Sequence, residues 1–409
     1  MGHFHRLFSP ENLRRLAWLA FLGPLFFVSY NLANAIAAAK GDSVPSILFA
    51  WERYVPFLAW TIVPYWSSDL LYAAAFLTCR TKNEIDRLGF RLLAIQAISV
   101  CFFVLFPLKV THSAPLPDGL FGTLFQTLIS FDLPYNQAPS LHASLAYILW
   151  IQFRGPVWGA WFLLTGISTM TTYQHHFIDL PTGLWAGVLV VALIPETSRP
   201  ECSRPRLAAF YTVGSAIFTV MAFRFAWWIL LWPAFSLSLV AAAYWTGNVE
   251  TLGKRGGSPP FWMWPYTLFA WTNSRLWNSK TSEVANGVWV GRADTKGFRT
   301  VVDLTGELPL QADRHVPMLD LAMPSCDQIS AAVAAISSLS GQRPTLVCCA
   351  LGYSRSAAAV AAWLVASGHS DSVEQAVAAV RKARPKVVLS PAMVERLTQW
   401  AGTRYASNS

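Results

Sequence analysis

Apolar and polar positions follow two different rhythms along this chain. Up to about residue 250 they come in blocks. The charge-free runs at 16–39, 92–108, 155–178, 207–223 and 225–248 each approach the ~20 residues that an α-helix needs to cross a bilayer. Runs at 54–79, interrupted only by Asp69, and at 180–195 are weaker candidates, and 141–153 is short enough to be re-entrant. The pattern therefore predicts a polytopic helical membrane bundle of about eight spans. The first run is too long for a signal-peptide core and lacks a cleavage site, so it reads as a retained span.

From Glu283 onward the rhythm is that of an α/β domain. Short β-branched runs at 288–290, 300–304 and 345–347 alternate with Ala-rich helical stretches at 328–339, 356–367, 373–383 and 391–401, and about 125 residues suffice for one such domain with a central sheet. Between the two rhythms lies a basic Gly/Pro linker, 253–260, and then a stretch rich in Trp, Phe and Tyr, 261–277. Its prolines break it as a span, and its aromatic density suits the bilayer interface. A strand or loop of the following domain is the alternative. The expected organisation is a membrane domain over 1–250, a linker over 251–281 and an α/β domain over 282–409.

Composition agrees with the block pattern: 54% hydrophobic and 13% charged residues are unlike an ordinary soluble protein. A net charge of +9 would suggest nucleic acid as partner in a soluble chain, but here the positive-inside rule accounts for it. Thirteen basic residues (Arg6, Arg14, Arg15, Arg80, Lys82, Arg87, Arg91, Arg154, Arg199, Arg204, Arg206, Lys254 and Arg255) fall on one side of an eight-span arrangement, against Lys40, Arg53, Lys109 and Arg224 on the other. This places both termini in the cytoplasm, with the lipid bilayer and no nucleic acid as partner. The six cysteines, at 79, 101, 202, 326, 348 and 349, show neither CxxC pairs nor a zinc-ligand pattern, so no disulfide scaffold, metal or cofactor is expected.

Candidate chemistry concentrates in two places. In 345–357 an apolar strand runs into a loop and then an Ala-rich helix, and Cys349 and Arg355 stand in a C-x5-R spacing. Such a loop at a helix N-terminus turns backbone N–H groups inward over Ala350, Leu351, Gly352, Tyr353 and Ser354, making an anion nest. The same field favours a Cys349 thiolate, the form that attacks. Arg355 offers a planar fork for two phosphate oxygens. Ser356 lies where a hydroxyl can hydrogen-bond the sulfur.

This stretch resembles the HCxxGxxRS signature of the dual-specificity branch of the protein tyrosine phosphatase superfamily, over about 282–403. Further support comes from Asn286 to Arg292, Val301 to Thr305 and Val380 to Pro385. The resemblance implies a phosphocysteine mechanism, with an aspartate upstream as the acid that protonates the leaving oxygen. Asp320 fits that role; Asp327, its rival, reads as part of a helix N-terminus, and Asp303 as structural. The usual histidine before the nucleophile is Cys348 here, a neighbouring thiol open to reversible oxidation.

The second place is in the membrane half. Histidines in lipid-spanning segments are costly and mark function. His142 lies in Pro139-Ser-Leu-His-Ala, and His175 and Asp179 in Gln174-His-His-Phe-Ile-Asp. The HxxxD spacing predicts His175 and Asp179 one helical turn apart on one face, the carboxylate orienting the imidazole. A phosphohistidine scheme follows, with His175 as nucleophile and His142 as general acid; histidines that only cap interfacial helices are the alternative.

These motifs resemble the second and third signatures of the type 2 phosphatidic acid phosphatase superfamily, particularly its inositol-phosphorylceramide synthase branch, over about 55–195. The first signature, KxxxxxxRP, is degenerate: Lys109 is present but Leu116 stands in the arginine position before Pro117, and Ser168-Thr169 stands where Ser-Arg is usual. Lys109 and His112 are the remaining phosphate-binding candidates. All three motifs fall on the outer side in the expected topology.

The whole chain thus resembles a bacterial fusion of a polytopic lipid phosphatase or phosphotransferase with a dual-specificity phosphatase, in the inner membrane. It implies a phospholipid or other phosphate ester as substrate. A protein phosphatase tethered by a passive membrane domain is the alternative, and a chain with decayed sites a third.

Overall fold

The structure is a computed structural model that describes residues 9–254, 257–277, 280–340 and 344–408. Arg6 and Arg255, both counted among the basic flanks, lie outside these. The chain divides into two compact units, Met1–Glu196 and Thr197–Ser409.

The first unit is helical: α1 (Pro10–Ala38), α2 (Ile62–Thr78), α3 (Lys82–Leu105), α4 (Gly119–Phe131), α5 (Leu141–Phe153), α6 (Pro156–Thr171) and α7 (Asp179–Leu193). The hydroxyl of Ser9 accepts from the Asn12 N–H and Pro10 opens α1, while Thr81 caps α3 through the Glu84 N–H; both are standard helix starts. The core gathers Leu22, Phe76, Leu88, Leu92, Ile148 and Val190. Outward, α1 shows Leu16, Phe27 and Leu32 and α2 shows Leu70 and Leu77 exposed, a pattern suited to lipid rather than water.

Small residues set the closest approach. A Cβ on Gly183 of α7 would come within 2.3 Å of the Ser140 carbonyl, and one on Gly187 within 2.8 Å of the Ser144 carbonyl. The Ser144 hydroxyl donates to the Gly183 carbonyl at 2.9 Å, and the Ser140 N–H to the Asp179 carbonyl at 3.0 Å. This small-residue packing joins the start of α5, which carries His142, to the start of α7.

Among the described residues, four helical stretches are long and apolar enough to cross a membrane: Pro10–Ala38, Lys82–Leu105, Pro205–Phe225 and Trp228–Thr246. The other four runs form helices of 17, 13, 16 and 15 residues, so the eight-span reading is matched at full length by only four. Arg154 and Gly155, both at positive φ, end α5 and separate it from α6.

The second unit opens with the helical hairpin α8 (Pro205–Phe225) and α9 (Leu231–Thr246), which the sequence boundary at 250 groups with the membrane domain. Gly247, in the left-handed region at φ 68°, ends α9, as glycine after a helix commonly does. The aromatic segment is a 3-10 turn, Phe261–Met263, followed by α10 (Trp264–Leu276), and so a helix rather than a strand or loop. Phe261, Trp264, Leu268 and Phe269 are exposed, while Tyr266 and Ser274 are buried.

A five-stranded mixed sheet follows: β1 (Ser282–Ala285), β2 (Val288–Arg292), β3 (Thr300–Thr305), β4 (Arg314–Met318) and β5 (Thr345–Cys349), in the order β1-β2-β5-β3-β4. β1 pairs antiparallel and the other neighbours are parallel. The sequence pattern passes over β1 and β4 because they are edge strands with polar positions such as Glu283 and Arg314. Central β5 is buried throughout, hence its unbroken apolar run. Helices α11 (Cys326–Leu339), α12 (Arg355–Ala366), α13 (Val373–Ala383) and α14 (Pro391–Asn408) complete the domain. Ser325 and Gln328 form a capping box at α11, which leaves Asp327 in its first turn. Val290, Val302, Ile336, Val347, Val360 and Trp400 belong to one core. In parallel sheets ligands gather at the carboxyl ends of strands, and here β5 hands over to α12.

Candidate active sites

β5 ends on Cys349 and α12 begins on Arg355, so the residues between them form a tight loop around the thiol. Gly352 adopts φ 72°, and a Cβ on it would lie 2.3 Å from the backbone of Gly291; only glycine fits. Its N–H points at Cys349 Sγ at 3.3 Å, and the Ser356 hydroxyl lies 3.4 Å from the same sulfur. The outer side of the loop is braced. Arg384 donates to the carbonyls of Gly352 at 2.7 Å and Leu351 at 3.4 Å, and the Val388 N–H donates to that of Tyr353 at 2.8 Å. In trans peptides N–H and C=O point opposite ways, so these bonds turn the N–H groups of Gly352, Tyr353 and Ser354 toward the inside, beside the sulfur.

Arg355 is buried. Its Nη1 donates to Glu307 Oε2 at 3.0 Å and to the Met318 carbonyl at 2.9 Å, and its Nη2 donates to Glu307 Oε1 at 2.6 Å. Asp320 Oδ1 lies 3.1 Å from Nη2, while Nε is buried without a hydrogen-bond partner among the described residues. Burial opposes the guanidinium charge, but Asp320 and Glu307 outweigh it and hold Arg355 above its ordinary value. Glu307 is pushed up by burial and pulled down further by Arg355, ending below the usual carboxylate value.

Asp320, with its side chain 41% exposed, therefore reaches the phosphate loop. Asp303 does not: it is fully buried and accepts from Lys254, from the Thr305 N–H and hydroxyl, and faces His315. Cys348 alternates to the opposite face of β5 from Cys349 and packs with Val301, Leu308 and Leu346, its thiol donating to the Val302 carbonyl at 3.6 Å. Burial, helped by Asp303, pushes that thiol well above its ordinary value. Both cysteines are free thiols. Sequence reasoning passed over Glu307 and gave Arg384 no role. An acid directly after an apolar strand, in Thr305-Gly-Glu307, was the available signal for the first; the second stood unassigned inside Val380 to Pro385.

In the first unit, His175 Nδ1 lies 3.2 Å from Asp179 Oδ2, and the His142 and His175 rings are 6.1 Å apart. The expected pair is thus present but its geometry is corrected. His175 lies in the irregular segment before α7 and only Asp179 is helical, so the contact is made by a helix start and not along a helix face. The same carboxylate oxygen accepts from the His176 N–H at 2.9 Å, which fixes it. Tyr65 stacks on His142 at 4.0 Å.

Lys109 pairs with Asp42 at 3.7 Å, and His112 lies against the Tyr173 and His176 rings, each at 5.0 Å. The hydroxyls of Ser168 and Thr169 bond the carbonyls of Thr165 and Gly166 in their own helix. Glu52, His112 and His176 bring one ligand atom each within 4.8 Å of one another, a spacing open to a metal ion. Protein partners already satisfy His176, however, with Nδ1 3.1 Å from Glu52 and Nε2 3.2 Å from the Thr111 N–H.

Residues 290–403 match the family described as Dual specificity phosphatase, catalytic domain. Among solved structures, a variant of human DUSP28 is 23% identical over 31% of this chain and 97% of its own, with a TM-score of 0.28. PTPMT1 in complex with PI(5)P is 18% identical over 32% and 99%, with a TM-score of 0.27. Tk-PTP in the active form is 23% identical over 30% and 96%, also at 0.27. No curated protein matches the chain. The C-terminal part of this chain is a cysteine-based phosphatase domain of the dual-specificity type, and through it the protein is a phosphoric monoester hydrolase.

Proposed function

We propose that this protein is a membrane phosphatase in which Cys349 attacks the phosphorus of a phospholipid headgroup monoester. The observation that carries the lipid reading is that the phosphate loop and two apolar helical stretches long enough to cross a membrane, α8 and Trp228–Thr246 (a 3-10 turn running into α9), belong to one compact unit. The exposed aromatic face of α10, in the same unit, suits the headgroup layer. In the first step the thiolate forms a bond to phosphorus as the ester oxygen leaves, and Asp320 gives that oxygen its proton. The inward N–H groups and Arg355 carry the charge of the transferring group. In the second, water attacks the phosphocysteine, Asp320 takes the proton back, and the sulfur leaves with help from the Ser356 hydroxyl. The loop residues Ala350 to Ser354 hold the phosphate oxygens.

We further propose that His142, His175 and Asp179 form a second, histidine-based lipid phosphatase or phosphotransferase site, with Lys109 near the substrate. Supporting it are the Asp179 contact to His175 Nδ1 and the absence, among the described residues, of a hydrogen bond to its Nε2, the atom that would attack. We also propose a bundle of about eight spans, counting the shorter helices, in a bacterial inner membrane; the bias of basic residues across that arrangement favours the phosphatase domain inside and the histidines outside.

Purified wild-type, Cys349→Ser and His175→Ala proteins, assayed on phosphatidylglycerophosphate, phosphoinositides, phosphatidic acid and a phosphotyrosine peptide, test both sites. Loss of turnover on one lipid in each variant is the expected result. Peptide turnover far above that on every lipid would replace the lipid reading by that of a tethered protein phosphatase.

A further inference from the structure

The segment that carries Asp320 is held by the helical hairpin. The Tyr244 hydroxyl, on α9, donates to the main-chain carbonyl of Asp320 at 3.0 Å. Arg204, directly before α8, donates through Nε to the next carbonyl, that of Leu321, at 3.0 Å. Leu321 has φ 54°, a left-handed conformation that a branched apolar residue adopts only under constraint. Tyr244 itself has no freedom to turn: it is 3% exposed, Tyr211 stacks on it at 5.6 Å with rings 8° apart, and Tyr266 meets Tyr211 edge-on at 5.8 Å.

A buried tyrosine hydroxyl needs some partner, and any carbonyl would serve. Here two consecutive carbonyls, on the residue bearing the carboxyl and its neighbour, are taken by two side chains from the two hairpin helices or their ends. A side chain can face Arg355 at 3.1 Å only if its backbone is fixed to within a fraction of that distance.

We propose that Tyr244 is a positioning residue for Asp320, so that proton delivery at the Cys349 site depends on the membrane hairpin. This rests on the reading of Asp320 as the proton donor. A misplaced acid slows esters whose leaving group needs a proton and spares those whose leaving group departs as a stable anion.

The test uses the full chain in detergent micelles, with phenyl phosphate and dinitrophenyl phosphate as substrates. Asp320→Asn sets the limit: a large fall in kcat with phenyl phosphate and little change with dinitrophenyl phosphate. Tyr244→Phe is expected to show the same selectivity at smaller size, roughly tenfold on phenyl phosphate, with orthovanadate binding and KM unchanged. An equal fall on both substrates, or loss of vanadate binding, would overturn the proposal, because the hydroxyl would then support the whole loop. If Asp320→Asn fails to discriminate between the substrates, the assignment of the acid itself falls. Should Tyr244→Phe not fold, Arg204→Gln, which releases the Leu321 carbonyl, carries the same expectation and the same refutation.

Discussion

The phosphate loop and the histidine cluster have both been read as phosphate chemistry, yet they are built differently. Around Cys349 the charge is supplied and anchored: Arg355 lies between Glu307, Asp320 and the Met318 carbonyl, and Arg384 braces the loop from outside. Around His175 the orienting carboxylate is present, but the positions where the family resemblance implies arginines hold Leu116 and Thr169. The one nearby lysine in the motif, Lys109, is paired with Asp42. A site can keep its nucleophile geometry and lack its phosphate cations. The difference ranks the two: the cysteine site holds a phosphate-binding cation in place, and the proposed histidine site has no such anchored cation among the residues named for it.

The widest separation between them comes from replacing each proposed nucleophile. Cys349→Ser should lower hydrolysis of a soluble aryl phosphate by on the order of 10⁵-fold or more, whereas His175→Ala should leave it unchanged; equal losses would mean that the two regions act as one site. Next comes the anchor of the cation. Glu307→Gln leaves Arg355 buried without its full counter-charge, a loss of about 3 kcal/mol or more, to be read in the unfolding midpoint together with weaker vanadate binding. Unchanged midpoint and binding would show that Met318 and Asp320 suffice. Gly352→Ala should cost about 1–3 kcal/mol through its left-handed φ and lower activity further by pressing on Gly291, as circular dichroism and turnover together would register.

The same anchor gives a pH signature. Glu307 titrates below its ordinary 4.5 in the folded protein, so its contribution to stability is fully present above that value and is lost as the pH falls through the lowered one. Thermal unfolding followed from pH 7 to pH 3 should therefore show this loss only in the acid range, and its absence in Glu307→Gln. Smallest of all is Cys348→Ala, which removes a neutral buried sulfur and should cost about 1 kcal/mol with little effect on turnover. A large fall in turnover would mean that the thiol tunes its neighbour.

The strands and helices of the C-terminal domain were legible because β5 and its flanking helices are buried and so carry strong apolar periodicity. Edge strands β1 and β4 were not, since half-exposed strands have no such constraint. The C-x5-R loop was legible because it is local: seven consecutive positions fix it, and Gly352 is required by a backbone angle that the spacing already implies. The span count was less so. Composition distinguishes apolar from polar, but whether a run of apolar residues makes one helix of 24 residues or one of 16 followed by a turn depends on the turn, as between Thr171 and Asp179.

Local chemistry alone, legible in the sequence, therefore accounts for an apolar helical half, an α/β half, the Cys349–Arg355 loop and a pair of histidine motifs. Which distant groups complete them is settled by the packing of the chain. Glu307 lies 48 positions from Arg355, and Tyr244 lies 76 from Asp320. No spacing rule reaches that far, because such contacts come from sheet order and helix packing. The grouping of α8 and α9 with the phosphatase domain has the same cause, since apolar content places a helix in lipid and only packing decides which unit it belongs to.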